Sequence, residues 1–367
     1  MLNNEVTVVV LCCKVYLQTS AISDLKTFIC QHPIQWQQVY QLSTKHRVRP
    51  LVFQILSKLP AEVPADILQR FRAYCREFLL FAVDRHQEAA RVVHLLAEQG
   101  IAARHYKGTD YALLLYRDIG MREFTDIDIV IDSDQADRVR AIMQAEGYEM
   151  YLEKYFRKYP AHFRRHIKEV NFGKRCPRGK RFSFEFHYRP THGLMDLQYS
   201  FADLLGPDYL QRAYTAGDYY TLMVLNNGAS DFFPHLRSLM DMILLYRKGP
   251  FSVPAALRPY ELLWQQLAAS LLGFKTEAAP AHDATYQLLA DRLRHSRAGD
   301  SYTLLQQARV RLSLAADISA KWRITHRYLT YLLRPNANDI NALPLPYFLY
   351  YFTKPVRLAS NLLKVRK

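Results

Sequence analysis

The chain has 367 residues, half of them hydrophobic and 23% charged. That is ordinary globular composition, with material for a sizeable core and no signature of disorder. Lys and Arg number 49 against 34 Asp and Glu, a net charge of +15 that favours nucleotides, nucleic acid or an acidic membrane surface without choosing among them. No apolar run approaches the roughly 20 residues of a bilayer span. The five cysteines are irregularly spaced with no C-x-x-C, which argues against a zinc site or redox pair and fits a reducing cytosol.

Residues 1–98 carry apolar positions at helical spacing, as in "LSTKHRVRPLVFQILSKL" and "ADILQRFRAYCREFLLFAVDRHQEAARVVHLLAEQG". The start "MLNNEV" lacks a basic region, and a cytoplasmic chain is expected. Cys12 and Cys13, in "VVVLCCKVYL", read as small buried hydrophobes. Gly100 closes the last helix. The texture then changes. "IAARHY" is a short strand ended by Lys107-Gly108, and "TDYALLLYRDI" is a helix with Thr109 as its N-cap, broken at Gly120. "DIDIVID" is the next strand, followed by a helix capped at Ser133 or Asp134 and ended by Gly147.

"HIKEVNF" and "RFSFEFHYR" read as an antiparallel hairpin joined by the basic "GKRCPRGK". Residues 201–340 return to helices, in which Arg237 and Asp241 are spaced for an i, i+4 ion pair. Residues 341–367 form an aromatic, then basic tail. The expected fold class is α+β: a small mixed β-sheet core at 99–200 between N- and C-terminal helical regions.

The acids in "DIDIVID" need a reason, because burying an unpaired carboxylate is very costly. Side chains at i and i+2 share a face of a strand, so Asp126 and Asp128 point one way while Ile127, Ile129 and Ile131 enter the core. Two adjacent carboxylates suit a divalent cation such as Mg²⁺, which takes one or two carboxylates plus substrate phosphates. Asp132 lies about 13 Å further along at ~3.3 Å per residue, and is assigned to the next helix start. Glu185 sits between Phe184 and Phe186 in another alternating strand, sharing its face with Ser183 and His187. With strands about 4.8 Å apart, its carboxylate can reach an ion held by Asp126 and Asp128. A lone D-x-D at a strand end, or a lone strand Glu, is more often plain surface. The two together behind a strand-Gly-helix are more specific.

These residues resemble the nucleotidyltransferases of the DNA polymerase β type, which carry a Gly at a strand-to-helix turn, Asp-x-Asp on the next strand and a further acid on a later one. The counterparts are Gly108, Asp126 with Asp128, and Glu185. "KG...R...DIDIVI...GY", "EFHYR" and "HRVRPLVFQIL" are most similar to a bacterial group of nucleotidyltransferases with helical flanks, often found near polysaccharide genes. The turn here is Gly108-Thr109 rather than Gly-Ser or Gly-Gly, the spacing from Gly108 to Asp126 is longer than in the superfamily, and "LNNGASDFF" offers Asn226 and Asn227 where the group often has a His.

The resemblance implies a nucleotidyltransferase core at 99–200 and transfer of a nucleoside monophosphate from an NTP, such as ATP, to an acceptor hydroxyl, with pyrophosphate leaving. It implies two Mg²⁺ ions, Mn²⁺ being the alternative, bridged by Asp126 and Asp128, with Glu185 on the ion that activates the acceptor. Gly108 admits the triphosphate to the backbone, and Thr109 offers a hydroxyl and N–H to phosphate. Lys107 and Arg122 read either as cations for the β and γ phosphates or as structural ones. His187 reads as an orienter of Glu185 or as a plain strand residue.

The cations of the hairpin region, Arg164, Arg165, Lys168, Lys174, Arg175, Arg178, Lys180 and Arg181, form either a cradle for a polyanionic acceptor or a solvated loop. Peripheral membrane contact through the tail competes with packing of its aromatics on the body. Two rival readings are a non-catalytic nucleotide-binding or scaffold protein of the same fold and, from charge alone, an RNA-binding helical protein.

Overall fold

The computed structural model describes residues 3–176, 178–195, 197–276, 284–295, 302–342, 345–355 and 357. In chain order the elements are α1 (Asn4–Tyr16), α2 (Ile22–Gln31), α3 (Trp36–Lys45), α4 (Arg49–Leu56), α5 (Ala65–Glu98), β1 (Ala103–His105), α6 (Gly108–Tyr111), β2 (Ile127–Ile131), α7 (Ala136–Ala145), β3 (Glu149–Met150), α8 (Glu153–Lys158) and α9 (Pro160–His166). There follow β4 (Glu169–Arg175), β5 (Arg181–His187), α10 (Phe201–Leu205), α11 (Ala216–Met223), α12 (Leu236–Tyr246), α13 (Arg258–Leu272), α14 (Ala284–His295), α15 (Leu304–Ser313), α16 (Ile318–Leu333) and α17 (Ala337–Ala342). The fold is α+β, with helices flanking one five-stranded mixed sheet of order β1-β2-β5-β4-β3. No described helix is long and apolar enough to cross a membrane.

Two compact units make up the chain: Met1–Ile129 with Ala202–Tyr302, and Val130–Phe201 with Thr303–Lys367. In the first, α1 begins at Asn3, whose side chain accepts from the Val6 N–H at 2.8 Å. Its run of Val6, Val8, Val9, Val10, Cys12 and Cys13 is wholly buried, and burial pushes the Cys13 thiol up to about 12. A second centre gathers Trp264 with Tyr220, Tyr246 and Phe274. In the second unit, β4 and β5 pair antiparallel with Phe172 opposite Phe184 and Asn171 opposite Glu185. Phe182, Phe184 and Phe186 are buried, so the alternation expected of this strand holds.

Several local expectations are corrected. The helix after β1 is one α-turn, α6, continued by a π-helical turn over Ala112–Tyr116, and Arg117 in the left-handed region ends it before Gly120 is reached. Lys107 rather than Thr109 stands at its N-cap. A 3-10 turn, Ser133–Gln135, precedes α7 and puts Gln135 at that helix's N-cap. The two-residue β3, paired to β4, is too short to register as a strand pattern. In the tail, Tyr347 and Tyr350 are buried, whereas Phe348 and Phe352 are exposed; Lys364, Arg366 and Lys367 lie outside the described residues.

Residues 117–126, which deliver the acids of β2, contain no regular element and are held by side chains from all around them. Arg49 contacts the Glu123 carboxylate at 2.5 Å, and the Tyr74 hydroxyl donates to it at 2.7 Å. Arg85 donates to the Phe124 carbonyl at 2.8 Å, and Arg237 donates to that of Glu123. Arg122 pairs with Asp241 at 2.9 Å, and Tyr116 donates to the other oxygen of that carboxylate at 2.8 Å. The i, i+4 pairing expected of Arg237 and Asp241 is thus replaced: Asp241 takes its hydrogen bonds from Arg122 and Tyr116. The Arg122 and Asp241 side chains are 6% and 0% exposed, so removing either leaves a buried charge without its partner.

Asp241→Ala is expected to lower stability by about 3–5 kcal/mol, measured by urea denaturation; a loss no larger than that of a surface substitution would show that the pair does not hold the segment. A pH effect comes from two histidines where α3 ends and α12 begins. His46 accepts from the Leu236 N–H at 3.4 Å, and burial holds it well below its ordinary pKa. His235 is pushed down to about 3 by burial first and then by Arg47, Arg237 and Lys45. Both stay neutral when folded but protonate when unfolded near pH 6.5. Their contribution is therefore complete above about pH 6.5 and is lost as pH falls toward 3. His235→Gln is expected to flatten the fall in urea midpoint between about pH 6.5 and 4; an unchanged slope would refute the assignment.

Candidate active site

Gly108 sits at the turn from β1 into α6 with φ +45, and Lys107 before it has φ 72, a region disfavoured for a residue with a Cβ. The glycine is needed for that backbone conformation. An added Cβ would meet the Asp126 carbonyl and the Phe124 ring only at ordinary contact distance, 3.6 Å each. Thr109 is buried, with its hydroxyl 3.4 Å from His86 Nδ1. Asp110 links His105 Nδ1, at 2.7 Å, to the Tyr219 hydroxyl, at 3.3 Å. That small network escaped sequence reading because its far member is 109 residues away.

Tyr106 donates its N–H to the Asp128 carbonyl at 3.0 Å, tying the turn to β2. Asp126 lies one residue before β2 and is half-buried, whereas Asp128 is on the strand and 4% exposed. Lys107 Nζ lies 3.3 Å from Asp128 Oδ1, so the turn supplies the countercharge that a buried carboxylate requires. Arg122 is committed elsewhere, in its pair with Asp241.

On β5, Glu185 is half-buried and His187 fully buried. His187 Nε2 is 3.5 Å from Glu185, and its Nδ1 is 2.9 Å from Glu169, the residue opposite it on β4. Lys168 Nζ contacts Glu169 at 2.8 Å. Burial pushes the Glu169 carboxyl up, but the charges of His187 and Lys168 outweigh it and hold its pKa well below the ordinary carboxylate range. The imidazole is thus gripped between two carboxylates, as a side chain that orients a ligand would be. Glu169 was missed in the sequence, although "KEVNF" does place it on the face of Asn171; only the hairpin register makes it His187's partner.

Asp128 belongs to the first unit, beside Lys107, and Glu185 and His187 to the second, in a row with Glu169. Two carboxylates and an imidazole suit a divalent ion: the oxygens fit Mg²⁺, and the nitrogen adds preference for Mn²⁺. Of the cations around the hairpin, Arg164 pairs with Asp137 and Arg181 with Glu149, and Lys174 donates to the Glu146 carbonyl.

No curated protein and no solved structure matches the chain. A family model does, over residues 32–263, more than half of the sequence and the span that holds the glycine turn, β2 and β5. The chain belongs to that family, described as an uncharacterised nucleotidyltransferase.

Proposed function

We propose that the chain is a metal-dependent nucleotidyltransferase of the DNA polymerase β type, moving a nucleoside monophosphate from an NTP to an acceptor hydroxyl with release of pyrophosphate. The reading is supported by the nucleotidyltransferase family, by the buried Asp128 beside the Lys107–Gly108 turn in one unit, and by Glu185 in a row with His187 and Glu169 in the other. Asp128 and Glu185 hold the ions, with Asp126 completing the set at the strand's entrance. Bound Mg²⁺ or Mn²⁺ supplies Lewis-acid neutralisation of the reacting phosphate and lowers the pKa of the acceptor hydroxyl.

The chain's own groups do the rest. Gly108 lets the backbone approach the triphosphate. Lys107, already at Asp128, is the cation for the β and γ phosphates, a role for which Arg122 is not proposed because Asp241 holds it. His187, backed by Glu169, fixes Glu185 so that its carboxylate can accept the acceptor's proton. A second reading, a non-catalytic nucleotide-binding protein of the same fold, is favoured by one contact: Lys107 supplies Asp128 with a countercharge from the chain itself.

Asp128→Asn is expected to cut metal-dependent pyrophosphate release by at least about 100-fold, with circular dichroism unchanged. Undiminished turnover in that variant would end the transferase proposal. The two readings part in calorimetry with the four NTPs, with and without Mg²⁺ or Mn²⁺: metal-assisted binding without product over a broad acceptor panel favours the second.

A further inference from the structure

Helix α16 lies in the second unit and has two apolar faces where one is needed. Its inner face is accounted for: Ile324 and Tyr328 pack with Leu194, Leu304, Ala308 and Leu312. At about 100° of rotation per residue, Ile318, Trp322, Leu329 and Leu333 fall on the opposite side, within an arc of about 60°. They are 85%, 70%, 55% and 54% exposed. Leu332 borders the same stripe, and Phe348 and Phe352 of the tail are exposed as well.

The flank of this stripe is cationic. Arg323 and Arg327 line a groove of about 780 Å³ together with Arg165, Arg189 and Arg334, and no acidic residue lines it among the described residues. Arg334 Nη1 is 3.0 Å from His166 Nδ1, and burial, followed by Arg334 and Arg165, pushes that histidine down to about 4. Arg189 turns inward to the carbonyls of Arg164, Arg165 and Ile167. Positive groups crowded this way, without carboxylates, are stabilised by an external anion.

We propose that this face docks on an anionic phospholipid bilayer, with the α16 stripe in the acyl–headgroup boundary and lipid phosphates at the arginine groove. The helix, about 24 Å long at ~1.5 Å per residue, lies in the interface rather than across it, in keeping with the absence of any described helix apolar enough to span. Trp322 is of the type enriched at such boundaries. Charge decides between a membrane and a second copy of the chain. In a self-paired α16, Lys321 and Arg323 on the two sides of the stripe would meet like charges, and the helix has no Asp or Glu to answer them, whereas anionic lipid neutralises both. The proposal stands apart from the transferase reading, and α16 lies outside the matched residues 32–263.

The test is co-sedimentation of the full chain with vesicles of phosphatidylcholine alone and of phosphatidylcholine mixed equally with phosphatidylglycerol. Binding is expected to the mixed vesicles at least about tenfold above the neutral ones, weakening with salt. The double variant Trp322→Ser, Leu329→Ser is expected to lose at least about tenfold in vesicle affinity with its thermal unfolding unchanged, because both side chains are exposed. Arg323→Gln and Arg327→Gln are expected to cost about fivefold each. Absence of vesicle binding at low salt would overturn the proposal, as would full binding by the Trp322→Ser, Leu329→Ser variant. Calorimetric binding of inorganic phosphate without vesicle binding would reduce the groove to a small-anion site and overturn it too. A concentration-dependent dimer abolished by the same double variant would assign the stripe to a second copy instead.

Discussion

The buried Arg122–Asp241 pair is the constraint on which the candidate site depends. The segment that carries the chain into β2 has no backbone ladder of its own, so its position is set by side-chain contacts. Arg49, Arg85 and Arg237 reach Glu123 or Phe124, and Arg122 reaches out to Asp241. In a low-dielectric setting such contacts are directional and costly to break singly, which suits a segment that must deliver a carboxylate to a defined place. The long spacing from Gly108 to Asp126 thereby gains a physical account. It contains a helical turn, a π-helical turn and a loop pinned by side chains, rather than a minimal strand-helix-strand link.

Much of the architecture was legible because its signals are local. The alternation in "FSFEFHY" and the Gly108 turn depend on nearest neighbours, and both appear where the pattern puts them. What the pattern could not carry was the identity of distant partners. Arg122 reads equally as a phosphate ligand or a structural cation when only its neighbourhood in sequence is visible; its carboxylate lies 119 residues on. Arg237 and Asp241 have the spacing of an ion pair, yet burial makes Asp241 answer to the more enclosed Arg122. Thr109 has the chemistry of a cap, but the strained turn moves the helix start to Lys107. In each case a tertiary contact or a strained turn prevailed over a sound local preference.

At the candidate site the same division holds. Asp128 and Glu185 were legible from strand alternation, since each is the polar member of an apolar run. The weight of His187 was not, because an imidazole's role follows from what flanks it. Glu169 on one side and Glu185 on the other turn a lone strand histidine into the centre of a carboxylate–imidazole–carboxylate row, and Glu169 becomes its partner only through the β4–β5 register.

The positive charge includes two physically distinct populations. Arg49, Arg85, Arg122 and Arg237 are enclosed and hydrogen-bonded to the segment they hold, so they are structural and give the solvent little field. Arg323, Arg327 and Arg334 line an open groove without carboxylates beside an exposed apolar stripe, where charge and apolar surface reinforce one another. A net charge read from composition cannot separate these cases. Burial separates them: the enclosed set explains how a carboxylate is delivered, and only the open set has attraction to offer a partner.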